Sequence, residues 1–411
     1  MNSFDISTLS NGIKVITRKN KNTPRIAVNL FINSGIKCES KAGEASLAGR
    51  LLLQGTDTRS AEEIARELDN NAIEISVDTK QDYTKVRALF LNEDFDRTLD
   101  IFTDIVRNST FEKAEKEAFK LKGEIDMDLD SPKTKAFDNL VKNIYPDHTY
   151  GNTHTKILED LPQINRNMLK DYYYTSLVPE SMTFAVVGDI DRESVISALE
   201  SKFGNIKRDS SKCIIKTPAE IDRNKTVTIA RADAAQAQIV QGWIVPNIAS
   251  EDFAPLAIFN TILGSSGLSS RLFVELRDKQ GLAYHVRSTF ETFKYSGTFS
   301  VYIGTAPVNI KTALDGFNVE IKKLQDELVS NRELENAKSN YLGKRAFYHE
   351  TNAWQSHYLG YYDIMGLGAE YDNIIPEKIK KVDEKSVREV ANKYLSKNSV
   401  ISILAPDEYL K

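Results

Sequence analysis

Three residues in the stretch GEASLAGRLLLQGTDTRS, residues 43–60, have a spacing that could build a reactive site. Ser46, Gly49 and Arg50 follow one another at i, i+3 and i+4, which places them on one face of a helix. A hydroxyl, a missing side chain and a permanent cation include neither a general base nor a pair of metal ligands. The face therefore has the spacing of an active site without the groups that a reaction needs.

The histidines offer no replacement metal site. His349 and His357 lie in YHETNAWQSH, where His-Glu opens the zinc-peptidase pattern H-E-x-x-H, but Ala353 takes the second ligand position. If this stretch is helical, the two imidazoles are about 12 Å apart along the axis, too far to share one ion. His148 has no neighbouring ligand at a useful spacing. We expect structural histidines and no metal or other cofactor on this chain.

Other reactive motifs are missing. The glycine-rich stretch GSSG, residues 264–267, lacks the Gly-Lys-Ser/Thr ending of a phosphate loop, and no G-x-S-x-G nucleophile elbow occurs. Cys38 and Cys213 are the only cysteines and form no C-x-x-C pair. We therefore expect neither a disulfide framework nor a thiolate zinc site.

The composition is that of an ordinary globular protein. The chain has 411 residues, of which 41% are hydrophobic and 27% charged, with a net charge of −4 and no basic stripe that would indicate nucleic acid as the partner. The first twenty residues lack the pattern of a signal peptide, and no apolar run reaches the length of about 20 residues that a membrane span needs. We expect a soluble, cytoplasmic protein of two or more domains, without nucleic acid or membrane as partner.

The elements that would position these residues follow the same order twice. In the first half, strand-like runs cover residues 26–36, 72–77 and 84–91, and helical runs cover residues 43–54, 60–70 and 94–106. In the second half, the corresponding strand-like runs cover residues 237–245, 283–290 and 297–304, and the helical runs cover residues 252–263, 269–279 and 308–325. Ser60 then corresponds to Ser270 and Ile75 to His285, both at an offset of 210 positions. This order predicts an internal duplication.

The duplication leads to a prediction of the fold class. A polar segment over residues 207–225 separates the halves, and each half ends with long helices and a late strand, at 182–190 and at 399–406. We predict an α+β protein of two homologous domains, 1–212 and 213–411. Each domain has a mixed β-sheet with helices packed mainly on one face, rather than a doubly wound parallel sheet.

Long stretches of the chain resemble the pitrilysin (insulinase-like) family of zinc peptidases, especially its bacterial members of about this length and the mitochondrial processing peptidases. The stretches that carry the resemblance are LSNGIKVITRKN, AGEASLAGRLLLQGTDTRSAEEIA, YPDHTYGNTHTKILEDL, YYYTSLVPESMTFAVVGDID and LGSSGLSSRLFVELRDKQGLAYHV. Active members carry His-x-x-Glu-His ahead of a Gly-Thr. The resemblance implies that Ser46 and Arg50 stand at the two histidine positions and Gly49 at the glutamate position. The third zinc ligand of the family is retained as Glu124, but one carboxylate does not make a zinc site.

The resemblance also implies a functional pair in the second half. Arg277 and Tyr284, in ELRDKQGLAY, match an arginine and a tyrosine that the family places opposite the zinc, on the substrate carbonyl. Both side chains are donors that can stabilise a developing oxyanion. The alternative is an exposed helical arginine and a packed strand tyrosine.

In this family, two units of about this size enclose a peptide. The resemblance therefore implies a non-catalytic subunit of a heterodimeric metalloendopeptidase, which supplies Arg277, Tyr284 and half of the peptide chamber to a zinc-bearing paralogue. The substrate would be an extended peptide that adds to a sheet edge. The alternatives are a scaffold without a role in proteolysis and, against the histidine inventory, a peptidase with an atypical metal site.

Overall fold

The structure is a computed structural model that describes residues 3–207, 213 and 215–410. Its strands are β1 (Asp5–Thr8), β2 (Lys14–Lys19), β3 (Arg25–Ile32), β4 (Glu74–Thr79), β5 (Thr84–Leu91), β6 (Met182–Gly188), β7 (Lys225–Ala230), β8 (Ala237–Val245), β9 (Ala283–Thr292), β10 (Gly297–Thr305) and β11 (Val400–Ala405). Its helices are α1 (Glu44–Leu51), α2 (Ala61–Asn70), α3 (Phe95–Arg107), α4 (Ala114–Asp130), α5 (Pro132–Ile144), α6 (His154–Asp160), α7 (Arg166–Ser176), α8 (Arg192–Phe203), α9 (Phe253–Asn260), α10 (Ile310–Asp326), α11 (Asn331–Tyr348), α12 (Asn352–Ile364), α13 (Tyr371–Lys380) and α14 (Glu384–Leu395). Two π-helical segments cover Thr261–Ser265 and Phe273–Lys279. In the described part of the chain, no helix is long and apolar enough to cross a membrane.

The first compact unit is built on a six-stranded mixed sheet. The strand order is β1-β2-β6-β3-β5-β4, in which β2 and β6 run parallel and the other neighbours antiparallel. Phe184 on β6 contacts Phe102 of α3 and Phe203 of α8, whereas the next residue, Ala185, faces Gly360 of α12. Because successive strand residues point to opposite faces, α12 covers the face opposite to α3 and α8.

The second compact unit repeats this plan with five strands. The strand order is β7-β11-β8-β10-β9, in which β7 and β11 run parallel and the other neighbours antiparallel. Apart from the additional edge strand β1, both units share one strand order and one set of pairing directions. The chain therefore has the predicted α+β fold of two similar halves, each with a mixed sheet.

The compact units are not contiguous along the chain. Unit 1 contains residues 1–124, 155–215 and 347–373, and unit 2 contains residues 125–154, 216–346 and 374–411. Most of each unit falls within the predicted domains, 1–212 and 213–411. However, α5 packs on strands of the second sheet and α12 on strands of the first. The compact units therefore differ from a simple division near residue 212, because one helical segment of each half belongs to the other half's sheet.

Both of these helices lie close to their sheets, at a glycine. A Cβ atom on Gly360 of α12 would be 2.3 Å from the ring of Phe31 on β3. In the second unit, a Cβ atom on Gly242 of β8 would be 2.7 Å from the Cδ1 atom of Ile144 on α5. Real Cβ atoms essentially never come so close to another heavy atom. Glycine at position 360 thus allows the close approach of helix and sheet, whereas a side chain at position 242 would require the end of the Ile144 side chain to move.

Cys38 and Cys213 form a disulfide, with their Cα atoms 5.3 Å apart. The expectation that the cysteines would form no disulfide is therefore wrong. The two residues are 175 positions apart in the sequence, and Cys213 lies in the segment interpreted as a linker. Only the folded chain brings them within the distance that a disulfide needs.

Candidate functional site

Helix α1 carries three of the predicted site positions, and the residues before it fix where it starts. Gly43, the N-cap residue, has φ of 99°, a left-handed conformation that favours glycine. A carboxylate oxygen of Glu39 accepts hydrogen bonds from the backbone N–H groups of Gly43 and Ala45, at 3.2 and 2.9 Å. These bonds satisfy donors of the first helical turn that have no partner inside the helix.

Gly49 faces strand β4, where the space for a side chain is already filled. A Cβ atom at this position would be 2.8 Å from the hydroxyl oxygen of Thr79 and 3.2 Å from a methyl group of Val77. The Thr79 hydroxyl donates to the carbonyl of Ala45 at 3.2 Å, which holds it in place. The position that carries the glutamate in active family members therefore has no room for a side chain unless β4 changes.

Arg50 and Glu124 form an ion pair through two hydrogen bonds. Nη1 of Arg50 donates to Oε1 of Glu124 at 3.0 Å, and Nη2 donates to Oε2. This contact holds the pKa of the Glu124 carboxyl below its usual range and raises the pKa of the Arg50 guanidinium. The third predicted ligand position is therefore retained as a carboxylate, but its partner is a protein cation.

The residues at the zinc positions do not fit a zinc ion. Both oxygens of Glu124 accept from Arg50, and neither Ser46 nor Gly49 supplies a nitrogen or sulfur ligand. A guanidinium has no lone pair to give and repels a dication. Within residues 3–207, 213 and 215–410, no group of three or more His, Cys, Asp or Glu side chains could hold a metal ion.

The structure places His148, His349 and His357 in separate contacts. His349 pairs through Nε2 with the Asp372 carboxylate at 2.7 Å, whereas the His357 ring packs against Phe31 with ring centroids 5.7 Å apart. Burial lowers the pKa of His357 to about 3, so the ring is neutral near pH 7. His148 accepts a hydrogen bond at Nδ1 from a backbone N–H, and its Nε2 contacts a carbonyl oxygen.

Arg277 and Tyr284 are brought together on the second unit, as the resemblance implies. The guanidinium carbon of Arg277 is 4.4 Å from the ring centroid of Phe273 and 4.7 Å from that of Tyr284. Nη1 of Arg277 also donates to the Tyr284 backbone carbonyl at 2.9 Å. Two aromatic faces and one hydrogen bond therefore fix the cation in place.

The pair lines a cavity beside the edge strand β9. This cavity measures about 480 Å³, and its wall includes Arg277, Tyr284, His285 and Arg287. Tyr284 is 81% exposed, which is unusual for a large aromatic residue, and its hydroxyl has no partner in the described part of the chain. A larger cavity, of about 820 Å³, lies beside α10 and α14 and contains none of the predicted site residues.

Two residues beside the predicted site positions were not predicted from the sequence. Phe273 precedes Arg277 by four positions, so helical spacing could have indicated that the ring stacks on the guanidinium. Thr79, which fills the space beside Gly49, had no comparable signal, because it lies thirty positions from Gly49 in the sequence.

Two family models match the chain. The model described as insulinase, peptidase family M16, matches residues 14–156, and the model described as the peptidase M16 inactive domain matches residues 163–341. Together with the fold, these matches define the class: the chain belongs to the M16 peptidase family. By the resemblance, Ser46 and Arg50 stand at the two histidine positions of the zinc motif, and neither is a usual zinc ligand.

Relatives match over nearly the whole chain. A protein of Mycobacterium leprae named an uncharacterized zinc protease is 27% identical over 97% of this chain and 91% of its own length. A Bacillus subtilis protein of the same description is 26% identical over 97% of both. Among solved structures, a peptidase M16 inactive domain from Pseudomonas fluorescens has a TM-score of 0.91 at 20% identity, covering 98% of both chains. A protease from Helicobacter pylori also has a TM-score of 0.91, at 21% identity, covering 99% of this chain and all of the other.

Proposed function

We propose that this chain is the non-catalytic subunit of a heterodimeric M16 peptidase. It would supply Arg277, Tyr284 and half of the peptide chamber to a zinc-bearing paralogue. The observation that carries the proposal is the contrast between the two sites. The motif helix carries an internal ion pair in place of metal ligands, whereas Tyr284 presents an exposed hydroxyl beside a fixed guanidinium.

The chemistry of the pair suits a peptide carbonyl. A phenol and a guanidinium held in advance can donate to a carbonyl oxygen as negative charge develops on it. Zinc, which the partner would hold, activates water and polarises that carbonyl. Arg277 and Tyr284 would bind and orient the substrate from the opposite side. A scaffold has no need of an exposed tyrosine hydroxyl beside an immobilised arginine.

The edge strand β9 offers a place for an extended peptide. It ends the sheet on the cavity side, and edge strands can pair with an added strand through backbone hydrogen bonds. A peptide next to β9 would bring its backbone carbonyls close to Arg277 and Tyr284. Side chains would then point alternately to the two faces of the sheet.

The disulfide bears on where such a subunit works. Disulfides persist mainly in oxidising compartments such as the bacterial periplasm. The Cys38–Cys213 bond therefore favours an oxidising compartment over the cytoplasmic location expected from the sequence. A structurally similar protein from Escherichia coli, with a TM-score of 0.83 at 17% identity, is described as a periplasmic protease.

The test is purification from the native host with identification of every associated chain. We expect a partner of similar length that contains His-x-x-Glu-His. Its interface with this chain should be at or above the standard size of about 1,600 Å². The chain alone should bind no stoichiometric zinc and cleave no peptide, and the mixture should cleave. Hydrolysis by the chain alone would overturn the proposal, and self-association without a partner would favour the scaffold function.

A further inference from the structure

A second group of side chains lies beside the Arg277–Tyr284 pair, on the other face of β9. Val286 and Ser288 point into the unit and are buried, and the Ser288 hydroxyl donates to the Asn260 side chain at 2.6 Å. His285 and Arg287 alternate with them and are therefore directed to the opposite face, where both are exposed. The strand thus presents two basic residues at its edge, next to the proposed peptide site.

Tyr302 joins these residues to a lysine. It lies on β10 directly opposite Arg287 in the strand register. The ring of His285 meets it edge-on, with centroids 5.4 Å apart, and the Lys133 ammonium is 4.8 Å above its centroid. The Tyr302 hydroxyl donates to Gln238 at 2.7 Å, which fixes the ring. Lys133, His285 and Arg287, arranged around Tyr302, are called the basic cluster below.

Among the residues that the structure describes, the basic cluster has no anionic partner. In the described residues, neither Lys133 nor Arg287 forms an ion pair, and His285 has only the ring contact. Burial and the Arg287 charge lower the pKa of Lys133, while burial and the neighbouring cations lower that of His285. Like charges are therefore held close together without compensation, an arrangement that a bound anion would relieve.

Two of the three members of the basic cluster line the same cavity as the carbonyl-binding pair. His285, Arg287, Arg277 and Tyr284 all line the cavity of about 480 Å³. Along a strand, the three residue steps from Tyr284 to Arg287 span about 10 Å. An extended peptide whose carbonyl meets Arg277 and Tyr284 would place a side chain two or three residues away against the basic cluster.

We propose that the basic cluster is a specificity subsite that selects a peptide carboxylate two or three residues from the carbonyl held by Arg277 and Tyr284. This inference rests on the proposed function and names its substrate class: acidic peptides. Arg287 can hold a carboxylate through two parallel hydrogen bonds, and Lys133 adds a point charge from the side of Tyr302. The carboxylate can belong to an Asp or Glu side chain or to the free C-terminus of the peptide.

The test is peptide binding to the full chain, measured by fluorescence anisotropy without the partner, so that it does not depend on hydrolysis. The probes are labelled alanine-rich peptides of ten residues, the length of β9, with Glu or Gln at one defined position. Their C-termini are either free or amidated. We expect one Glu position to bind about tenfold more tightly than its Gln counterpart, as charge-assisted hydrogen bonds imply. A preference that depends only on the free C-terminus would identify that carboxylate as the ligand.

Variants separate the subsite from the rest of the site. Lys133→Gln combined with Arg287→Gln should remove the preference, so that the Glu and Gln peptides bind with equal affinity. Lys385→Gln, an exposed lysine on α14 in the same unit, removes a charge at a distance and should leave the preference intact. Equal binding of Glu and Gln peptides by the unmodified chain would overturn the acidic subsite alone. Failure to bind any peptide, alone or with the partner, would overturn the proposed function as well.

Discussion

The guanidinium of Arg50 holds both carboxylate oxygens of Glu124, a residue 74 positions away in the sequence. The ion pair connects α1 to α4 at the positions that the resemblance assigns to zinc ligands. A protein cation therefore satisfies the carboxylate that the family uses as a metal ligand. Since the pair is partly exposed, it contributes little to stability. Its main effect is that Arg50 occupies the carboxylate oxygens that a metal ion would otherwise bind.

Returning histidines to two positions should create a zinc site. In a variant with Ser46→His and Arg50→His, two imidazoles at i and i+4 would share a helix face and Glu124 would lose its partner. We expect about one zinc per chain after gel filtration, measured by elemental analysis, as three protein ligands allow. Peptide hydrolysis should still be absent, because Gly49 supplies no base.

The control for this experiment is the same variant with Glu124→Gln added. It should lose the zinc, since an amide is a poor ligand for this ion. Zinc bound equally with and without Glu124 would show that α4 does not supply the third ligand.

Tyr284→Phe should reduce the turnover of the complex with the zinc-bearing partner. The ring remains to stack on Arg277, so folding and assembly should be unchanged, whereas the hydroxyl donor is lost. We expect kcat to fall on the order of 10²-fold with little change in KM, the lower end for loss of one oxyanion donor. Steady-state kinetics of the reconstituted complex measure this.

Arg277→Ala should raise KM as well as lower kcat, because the guanidinium would also hold the carbonyl in the ground state. Combined with Tyr284→Phe, the loss should be less than additive, since both groups act on one oxygen. Phe273→Leu is the matched control, which removes one of the stacking rings and leaves both donors. Near-full activity of both single variants would make the pair a packing contact.

His357 should make the protein less stable in mild acid. Burial holds its folded pKa at about 3, below the value of about 6.5 in an unfolded chain. Between these values the unfolded state binds the extra proton, so stability falls as the pH drops below about 6.5 and continues to fall toward pH 3. From pH 7 to pH 5 this one group should cost roughly 2 kcal/mol, measured by denaturant unfolding.

The control is His357→Phe, which keeps an aromatic ring against Phe31. Between pH 7 and pH 5, the free energy of unfolding of this variant should fall by roughly 2 kcal/mol less than that of the unmodified protein. If the two proteins showed the same dependence on pH, His357 would not be the buried neutral group described here.

Loss of the disulfide should destabilise the protein. Replacing Cys38 and Cys213 with serine opens a loop of 175 residues and increases the entropy of the unfolded chain. We expect the free energy of unfolding to fall by roughly 2–5 kcal/mol. A reducing agent should do the same to the unmodified protein and have no effect on the variant. Two reactive thiols in the unreduced native protein would show that the bond does not form.

The local elements could be predicted because their signals are local. The strands at 84–91 and 237–245 have the predicted bounds. The helix after Ser60 begins with a capping box that the spacing of Ser60 and Glu63 in the sequence indicates, and the two residues exchange hydrogen bonds. Hydrophobic alternation and capping chemistry depend only on neighbouring residues, so the sequence carries them directly.

The contacts that define the site depend on the tertiary fold. Nothing in the sequence around Arg50 indicates Glu124 as its partner, and nothing around Cys38 indicates Cys213. The basic cluster could be predicted from the sequence only in part. The alternation of AYHVRSTF puts His285 and Arg287 on one strand face, but Lys133 joins them only because α5 packs on the second sheet.

The place of α12 in the first unit has a consequence for synthesis of the protein. The last strand of the first sheet ends at Gly188, whereas the helix that covers one of its faces begins at Asn352. At elongation rates of about 5–20 residues per second, the ribosome needs on the order of ten seconds to make the intervening chain. During that time the nascent chain exposes the apolar surface around Phe31 and Ala185 that α12 later buries. The first unit therefore completes its fold only after most of the second half has been made.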